Sequence, residues 1–181
     1  MNKNLRMLIL TALFAALTAI GAFLKIPFAL SAITLQFFFT ALAGVLLGPW
    51  YGALSQLLYV AIGLVGVPVF TQGGGIGYLT VPSFGFLLGL IPAAALIGAL
   101  VRRGKPTALR LALSCAAGLA VLYAVGLPYM ALILNAYLQK GLSAWYILLN
   151  GMLLYLPGDA GKIAVVTLLG VRLIPALQKK N

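Results

Sequence analysis

Residues 5–24 read LRMLILTALFAALTAIGAFL, twenty positions with a single charge and no alternation of polar and apolar residues. Runs of this kind recur to the end of the chain, and they fix its solvent. A soluble domain carries roughly 25% charged residues to keep its surface wetted. Here 7% are charged against 64% hydrophobic, so most of the surface must face lipid. A membrane barrel would alternate polar and apolar residues along each strand. Continuous runs predict helices, which satisfy their own backbone hydrogen bonds in lipid. The expectation is an all-α polytopic membrane protein, one integral membrane domain over residues 1–181. The first run is too long for the core of a signal peptide and reads as a retained helix.

Six spans are expected, over 5–24, 33–47, 50–65, 83–101, 108–127 and 157–177. The short break KIPFALS, Lys25 to Ser31, separates the first two. Gly48-Pro49 is a helix terminator and turn between the second and third. Both of those spans are short and rich in Gly and Ala, which predicts close packing against neighbours. The stretch GVPVFTQGGGIGYLTVP, Gly66 to Pro82, reads as a connecting loop long enough to have a role of its own. Its glycine spacing suits neither a phosphate loop nor a dinucleotide fingerprint. In the fifth span Gly126 and Pro128 either end or kink the helix, and apolar residues continue to Leu138. The run from Trp145 to Leu156 is too short to cross a bilayer alone. It reads as a short non-spanning helix between the fifth and sixth spans.

With six spans both termini share one side. That side holds Lys3, Arg6, Arg102, Arg103, Lys105, Arg110, Arg172, Lys179 and Lys180, against Lys25 and Lys140 opposite, with Lys162 just inside the last span. The bias predicts cytoplasmic termini. It also explains the net charge of +11 without nucleic acid, because the basic residues stand scattered at the ends of apolar runs. The lone Cys115 permits no disulfide within the chain. With no histidine, one thiol and one acid, an ordinary protein metal site cannot be assembled.

That one acid is Asp159, in LPGDAGK, Leu156 to Lys162. Pro157 suits a first helical position, and a carboxylate in the first turn is favoured by the exposed amide hydrogens and the helix dipole. Lys162 is three residues on, one turn away. Each charge costs roughly 2.5–3.5 kcal/mol at a bilayer centre on insertion scales and less near the interface. A cap with a local ion pair is one reading. A polar binding site at the outer end of the bundle is the other, with Asp159 for N–H donors and Lys162 for an anion. Neutral partners would come from Thr34 and Gln36, from Thr71, Gln72 and Tyr78 in the glycine loop, and from Asn150.

PGDAGK, Pro157 to Lys162, resembles the PGDxxK motif of the BioY family, the biotin-specific S components of energy-coupling factor (ECF) vitamin transporters. ITLQFFFTALAGVLLGPWYG, Ile33 to Gly52, is similar to the family's TLQ…AG…LG…G region. GLVGVPVFTQGGG, Gly63 to Gly75, resembles its glycine-rich PVF stretch. The chain departs at VPSFGF, Val81 to Phe86, where family members often read GPTGGY.

The resemblance implies the ECF S-component fold of six helices, in a bacterial plasma membrane with both termini cytoplasmic. It implies high-affinity biotin capture near the outer surface, under the loop after the first helix, where Lys25-Ile26-Pro27-Phe28 would form a lid. Asp159 would meet the ureido N–H groups and Lys162 the carboxylate, with the bicyclic body against Phe28, Tyr78, Phe86 or Tyr155. No nucleotide motif is present, so energy would come from partners, a membrane coupling subunit and two ATPase subunits. The family docks its first helix through small residues, which singles out Ala12 and Ala16; Ala15 and Ala19 share that spacing. No cofactor is implied. The alternatives are an S component for another vitamin or a biotin analogue, a solitary secondary transporter, for which no internal repeat is visible, and an intramembrane enzyme, for which no nucleophile pair stands near Asp159.

Overall fold

The structure, a computed structural model, describes residues 3–29 and 31–178. Lys179 and Lys180 of the charge count lie outside the described residues, as do the side chains of Lys3 and Phe28. Helix α1, Lys3–Phe23, leads into a hairpin of β1, Lys25–Phe28, and β2, Ser31–Thr34. Lys25 pairs with Thr34 and Ile26 with Ile33. The chain continues through α2, Gln36–Leu64, and a loop holding a 3₁₀ turn, Ile76–Thr80. Helices α3, Phe84–Val101, and α4, Ala108–Leu132, follow. A short α5, Ala144–Leu148, precedes α6, Leu156–Gln178. Helix α2 packs against α1 and α3, α3 against α4, and α6 against α2 and α4.

Five helical segments are long and apolar enough to cross a membrane: 4–23, 36–64, 84–101, 108–137 and 144–176. The second is not straight. Gly48 adopts φ +83°, a conformation that favours glycine, and Pro49 follows it. Thr40 Oγ1 donates to Gln56 Oε1 at 2.8 Å, although sixteen residues of straight helix would separate them by about 24 Å. The chain therefore reverses at Gly48-Pro49 into two antiparallel arms, giving six helical rods. The expected close packing follows from missing side chains. A Cβ on Gly52 would lie 3.1 Å from Gly44 Cα, across the hairpin. Arg102 lies over Gly48 and donates to the Leu47 carbonyl at 2.7 Å, closing the end of the first arm.

Three expectations change. The break after α1 is a small antiparallel hairpin, and α2 begins at Gln36, not at residue 33. Four-residue strands are too short to show a period in sequence. The fifth helix passes through Gly126 and Pro128, with the ring of Phe86 seated over Gly126, and ends in a π-helical turn, Ile133–Tyr137. The short helix after it is not isolated. Another π-helical turn, Leu149–Leu153, carries α5 on toward α6.

The main core is largely aromatic at the end where the hairpin and glycine loop lie, and a smaller cluster of Met130, Leu134 and Ile147 packs beside it. Phe70 anchors that loop, its ring over Gly63 and edge-on to Tyr59 at 5.5 Å. Below it a buried polar cluster ties the first three rods together. Gln56 accepts from Thr18 and Thr40 and donates to Ser55 at 2.9 Å. Gln56 and Thr18 are wholly buried, so each bond replaces one that water would otherwise supply.

Candidate functional site

The first turn of α6 delivers Asp159 into the bundle. Its amide donates to the Tyr155 carbonyl at 3.0 Å, so the turn is already helical there, and the carboxylate faces inward, 5% exposed. Oδ1 accepts from Lys162 Nζ at 2.8 Å. Oδ2 accepts from the Tyr123 hydroxyl of α4 at 2.6 Å. One ammonium and one hydroxyl thus neutralise and orient the only acidic side chain of the protein. A carboxylate offers about four lone-pair positions. Two are used, and Lys162 retains two further N–H donors.

Both charged groups face a cavity of about 90 Å³ at the hairpin end of the bundle. Its walls come from the second hairpin strand, the glycine loop and helices α2, α3, α4 and α6. The hairpin supplies Ala32, Ile33 and Thr34, α2 supplies Gln36 and Phe37, and the glycine loop supplies Thr71 and Tyr78. Helix α3 contributes Phe86, Leu87 and Leu90; α4 contributes Leu122 and Tyr123; Gly151 and Tyr155 complete the wall beside Asp159. The neutral polar groups are held in a chain of their own. Thr34 Oγ1 donates to Gln36 Oε1 at 3.0 Å, Gln36 Nε2 donates to the Tyr59 hydroxyl at 2.9 Å, and that hydroxyl donates to the Val69 carbonyl at 3.1 Å. Thr71 and Tyr78 share a hydrogen bond of 2.8 Å. Lys25 donates to the Thr71 carbonyl, latching the hairpin to the glycine loop. The site therefore combines a net-neutral ion pair, amide and hydroxyl groups, and a largely apolar wall.

Of the residues singled out in the sequence, Asp159, Lys162, Gln36, Thr34, Tyr78 and Phe86 share this cavity, as do Thr71 and Tyr155. Gln72 and Asn150 do not. Gln72 sits in the turn between bridged Phe70 and Gly73 and projects outward. Asn150 bends back to donate to the Tyr146 carbonyl at 2.9 Å, within the π-helical stretch. On α1, Ala12 and Ala16 are exposed, whereas Ala15 is buried and Ala19 partly so. The first alanine pair is the outward-facing one.

Two tyrosines were missed. Tyr123 touches the carboxylate, and Tyr59 positions Gln36 without lining the cavity. A signal for Tyr123 existed. Tyrosine in a span belongs at the membrane interface, and one placed mid-run has a hydroxyl that needs a partner. Near the single acid that partner was nameable.

Asp159 Oδ1 and Lys162 Nζ stand side by side, 2.8 Å apart.

Comparison with known proteins agrees with the architecture and extends it. The model of the BioY family matches residues 1–179. The probable biotin transporter BioY of Lysinibacillus sphaericus is 45% identical over 167 residues, covering 92% of this chain and 85% of the relative. The biotin transporter BioY of Thermotoga maritima is 36% identical over 173 residues, covering 93% and 96%. Among solved structures, the S-component for biotin from an ECF-type ABC transporter superposes with a TM-score of 0.81 at 26% identity, covering 96% of this chain and 94% of that one. With a fold of this kind, a family match along nearly its whole length and relatives this similar, the chain is a multi-pass membrane protein that belongs to the BioY family.

Proposed function

We propose that this chain is a biotin-capturing S component. One observation carries the reading: the sole carboxylate and its partner ammonium stand side by side in a cavity otherwise walled by rings, leucines and neutral polar groups. The cyclic urea of biotin presents N–H donors beside a carbonyl acceptor. Asp159 has lone pairs left for the donors, and Lys162 has protons left for the acceptor. Both charged residues therefore meet the ureido end. The bicyclic body lies against Phe86, Tyr78, Tyr155 and the neighbouring leucines, where burial of apolar surface holds it. The carboxylate end is left to the hydroxyl and amide groups of Thr34, Gln36 and Thr71.

The cavity of about 90 Å³ is smaller than the ~300–1,000 Å³ of sites that enclose drug-sized molecules. Entry of biotin must displace a wall. The hairpin lines the cavity through Ala32, Ile33 and Thr34 and is held to the glycine loop by the Lys25 latch, so we assign the lid to its two strands, β1 and β2.

Transport needs partners. The sequence holds no phosphate-binding loop, so ATP hydrolysis belongs to two ATPase subunits joined through a membrane coupling subunit. Exposed Ala12 and Ala16 on α1 leave a shallow face that another helix can approach closely. The basic bias supports cytoplasmic termini and a site at the outer face of a bacterial plasma membrane. The test is equilibrium binding of radiolabelled biotin to the purified, detergent-solubilised chain. Saturable binding that weakens in Asp159→Asn and Lys162→Met is expected. A wild-type chain that binds no biotin overturns the reading.

A further inference from the structure

A second cavity lies at the other end of the bundle, where α3 passes into α4. It measures about 480 Å³ and is lined by Leu100, Arg103, Thr107, Leu109, Arg110 and Leu113, among others. The segment from 102 to 110, RRGKPTALR, carries four of the twelve basic residues of the chain. Orientation in a membrane requires such charges on one side but gives them no shape. Here two of them converge. A Cβ on Gly104 would sit 2.5 Å from the Arg110 guanidinium, so that group is folded over the loop and is only partly exposed. Arg103 opens onto the same concavity. Arg102 is not part of it, because its guanidinium is committed to the Leu47 carbonyl.

No carboxylate side chain can serve these arginines. The only one in the protein, Asp159, is in the opposite half of the bundle and bound to Lys162. Among the described residues, the two guanidinium groups in this concave site therefore have no acidic side chain as a counter-charge. The wall that continues from them is apolar and turned outward. Leu109 is 70% exposed and Leu113 61% exposed, and Ala116 and Ala120 extend that stripe along α4. A ligand that fits must be anionic at one end and hydrocarbon at the other. A basic pocket between transmembrane helices is a recognised way to hold such a head group, and guanidinium suits phosphate through paired N–H donors.

We infer that the cleft between the C-terminus of α3 and the N-terminus of α4 binds an anionic phospholipid, its phosphate on Arg103 and Arg110 and its acyl chains along Leu109 and Leu113. The experiment is native mass spectrometry of the full chain, delipidated in detergent and titrated with phosphatidylglycerol or with phosphatidylcholine of the same chains. The wild type should bind the anionic lipid preferentially, a comparison that needs no variant. Arg103→Gln/Arg110→Gln should weaken that binding about 30-fold, from two basic groups near the surface. Lys140→Gln/Arg172→Gln, which removes equal charge elsewhere, should leave it within about twofold of wild type. Equal retention of the two lipids by the wild type overturns the inference. So does an equal loss in both double variants, which would mark a diffuse charge effect. Displacement of phosphatidylglycerol by equimolar inorganic phosphate would identify a free-anion site and overturn the lipid assignment.

Discussion

Replacing Lys162 by Met leaves the Asp159 carboxylate without its counter-charge, at a position where the two side chains are 13% and 6% exposed. Removing one partner of a buried ion pair costs about 3–5 kcal/mol, most of it the uncompensated charge. The Tyr123 hydroxyl remains on Oδ2 and should hold the loss to the lower end of that range, about 3 kcal/mol. Asp159→Asn strands the ammonium instead, but a lysine stem can carry its head toward the nearby interface, so the loss should be smaller. The double variant Asp159→Asn/Lys162→Met removes both charges together. Its apparent stability, followed by thermal unfolding in detergent, should recover most of what Lys162→Met loses, with a coupling of about 2–3 kcal/mol. Biotin affinity should not recover. A hydrogen bond to a charged group contributes about 1.5–3 kcal/mol, so each single variant should weaken biotin by roughly 10- to 150-fold and the double variant by at least as much. Stability returns only if the pair is structural, and affinity stays lost only if it is also the site. A double variant that binds biotin within about threefold of wild type would refute the site assignment and leave the pair a helix cap.

Tyr123→Phe keeps the edge contact with Phe86 but removes the hydroxyl on Asp159; thermal unfolding should show a loss of about 1.5–3 kcal/mol. Gly48→Ala forces a side chain into a backbone conformation that costs about 1–3 kcal/mol and into the Arg102 guanidinium, so the α2 hairpin should open. Loss of monodisperse protein on size exclusion checks it. Gln56→Leu removes the amide that Thr18 and Thr40 share, but each hydroxyl keeps its bond to a carbonyl one turn back, so the loss should be about 0.5–1.5 kcal/mol for each bond removed, with biotin affinity unchanged in whatever protein stays folded. Ala12→Leu/Ala16→Leu should leave biotin binding by the lone chain intact while lowering ATP-driven uptake in cells that carry the coupling module; uptake at wild-type level would move the docking face elsewhere.

What the sequence made legible was whatever lipid enforces. Long apolar runs had to be helices, and Gly48-Pro49 had to end one, because no other residues there leave both a positive φ and a missing donor. Asp159 was conspicuous because a lone acid in oil needs a reason, and Lys162 supplied it at helical spacing. The hairpin of β1 and β2 was not legible, since strands of four residues leave no measurable period and this one is fixed by contacts distant in sequence, Lys25 on Thr71 and the Leu35 amide on the Gly21 carbonyl. Tyr59 and Tyr123 were hidden for another reason. Their ring positions look like ordinary core, and only the hydroxyl contacts, made across 23 residues to Gln36 and 36 residues to Asp159, give them a role. Gln72 and Asn150 show the converse error. Polar type suggested a site, but a two-residue turn and a π-helical backbone direct them away from it.

The pairing of Asp159 with Lys162 also has an electrical meaning. A membrane voltage acts on net charge, about 2.3 kcal/mol per elementary charge for each 100 mV. A lone carboxylate in the site would be driven or held by the field whenever the site changed its exposure from one face to the other. Here the two charges cancel within 2.8 Å, so the pair adds no net charge to that movement. Only the charge borne by the cargo feels the potential. Under the proposed function, this keeps the capture site indifferent to the membrane voltage.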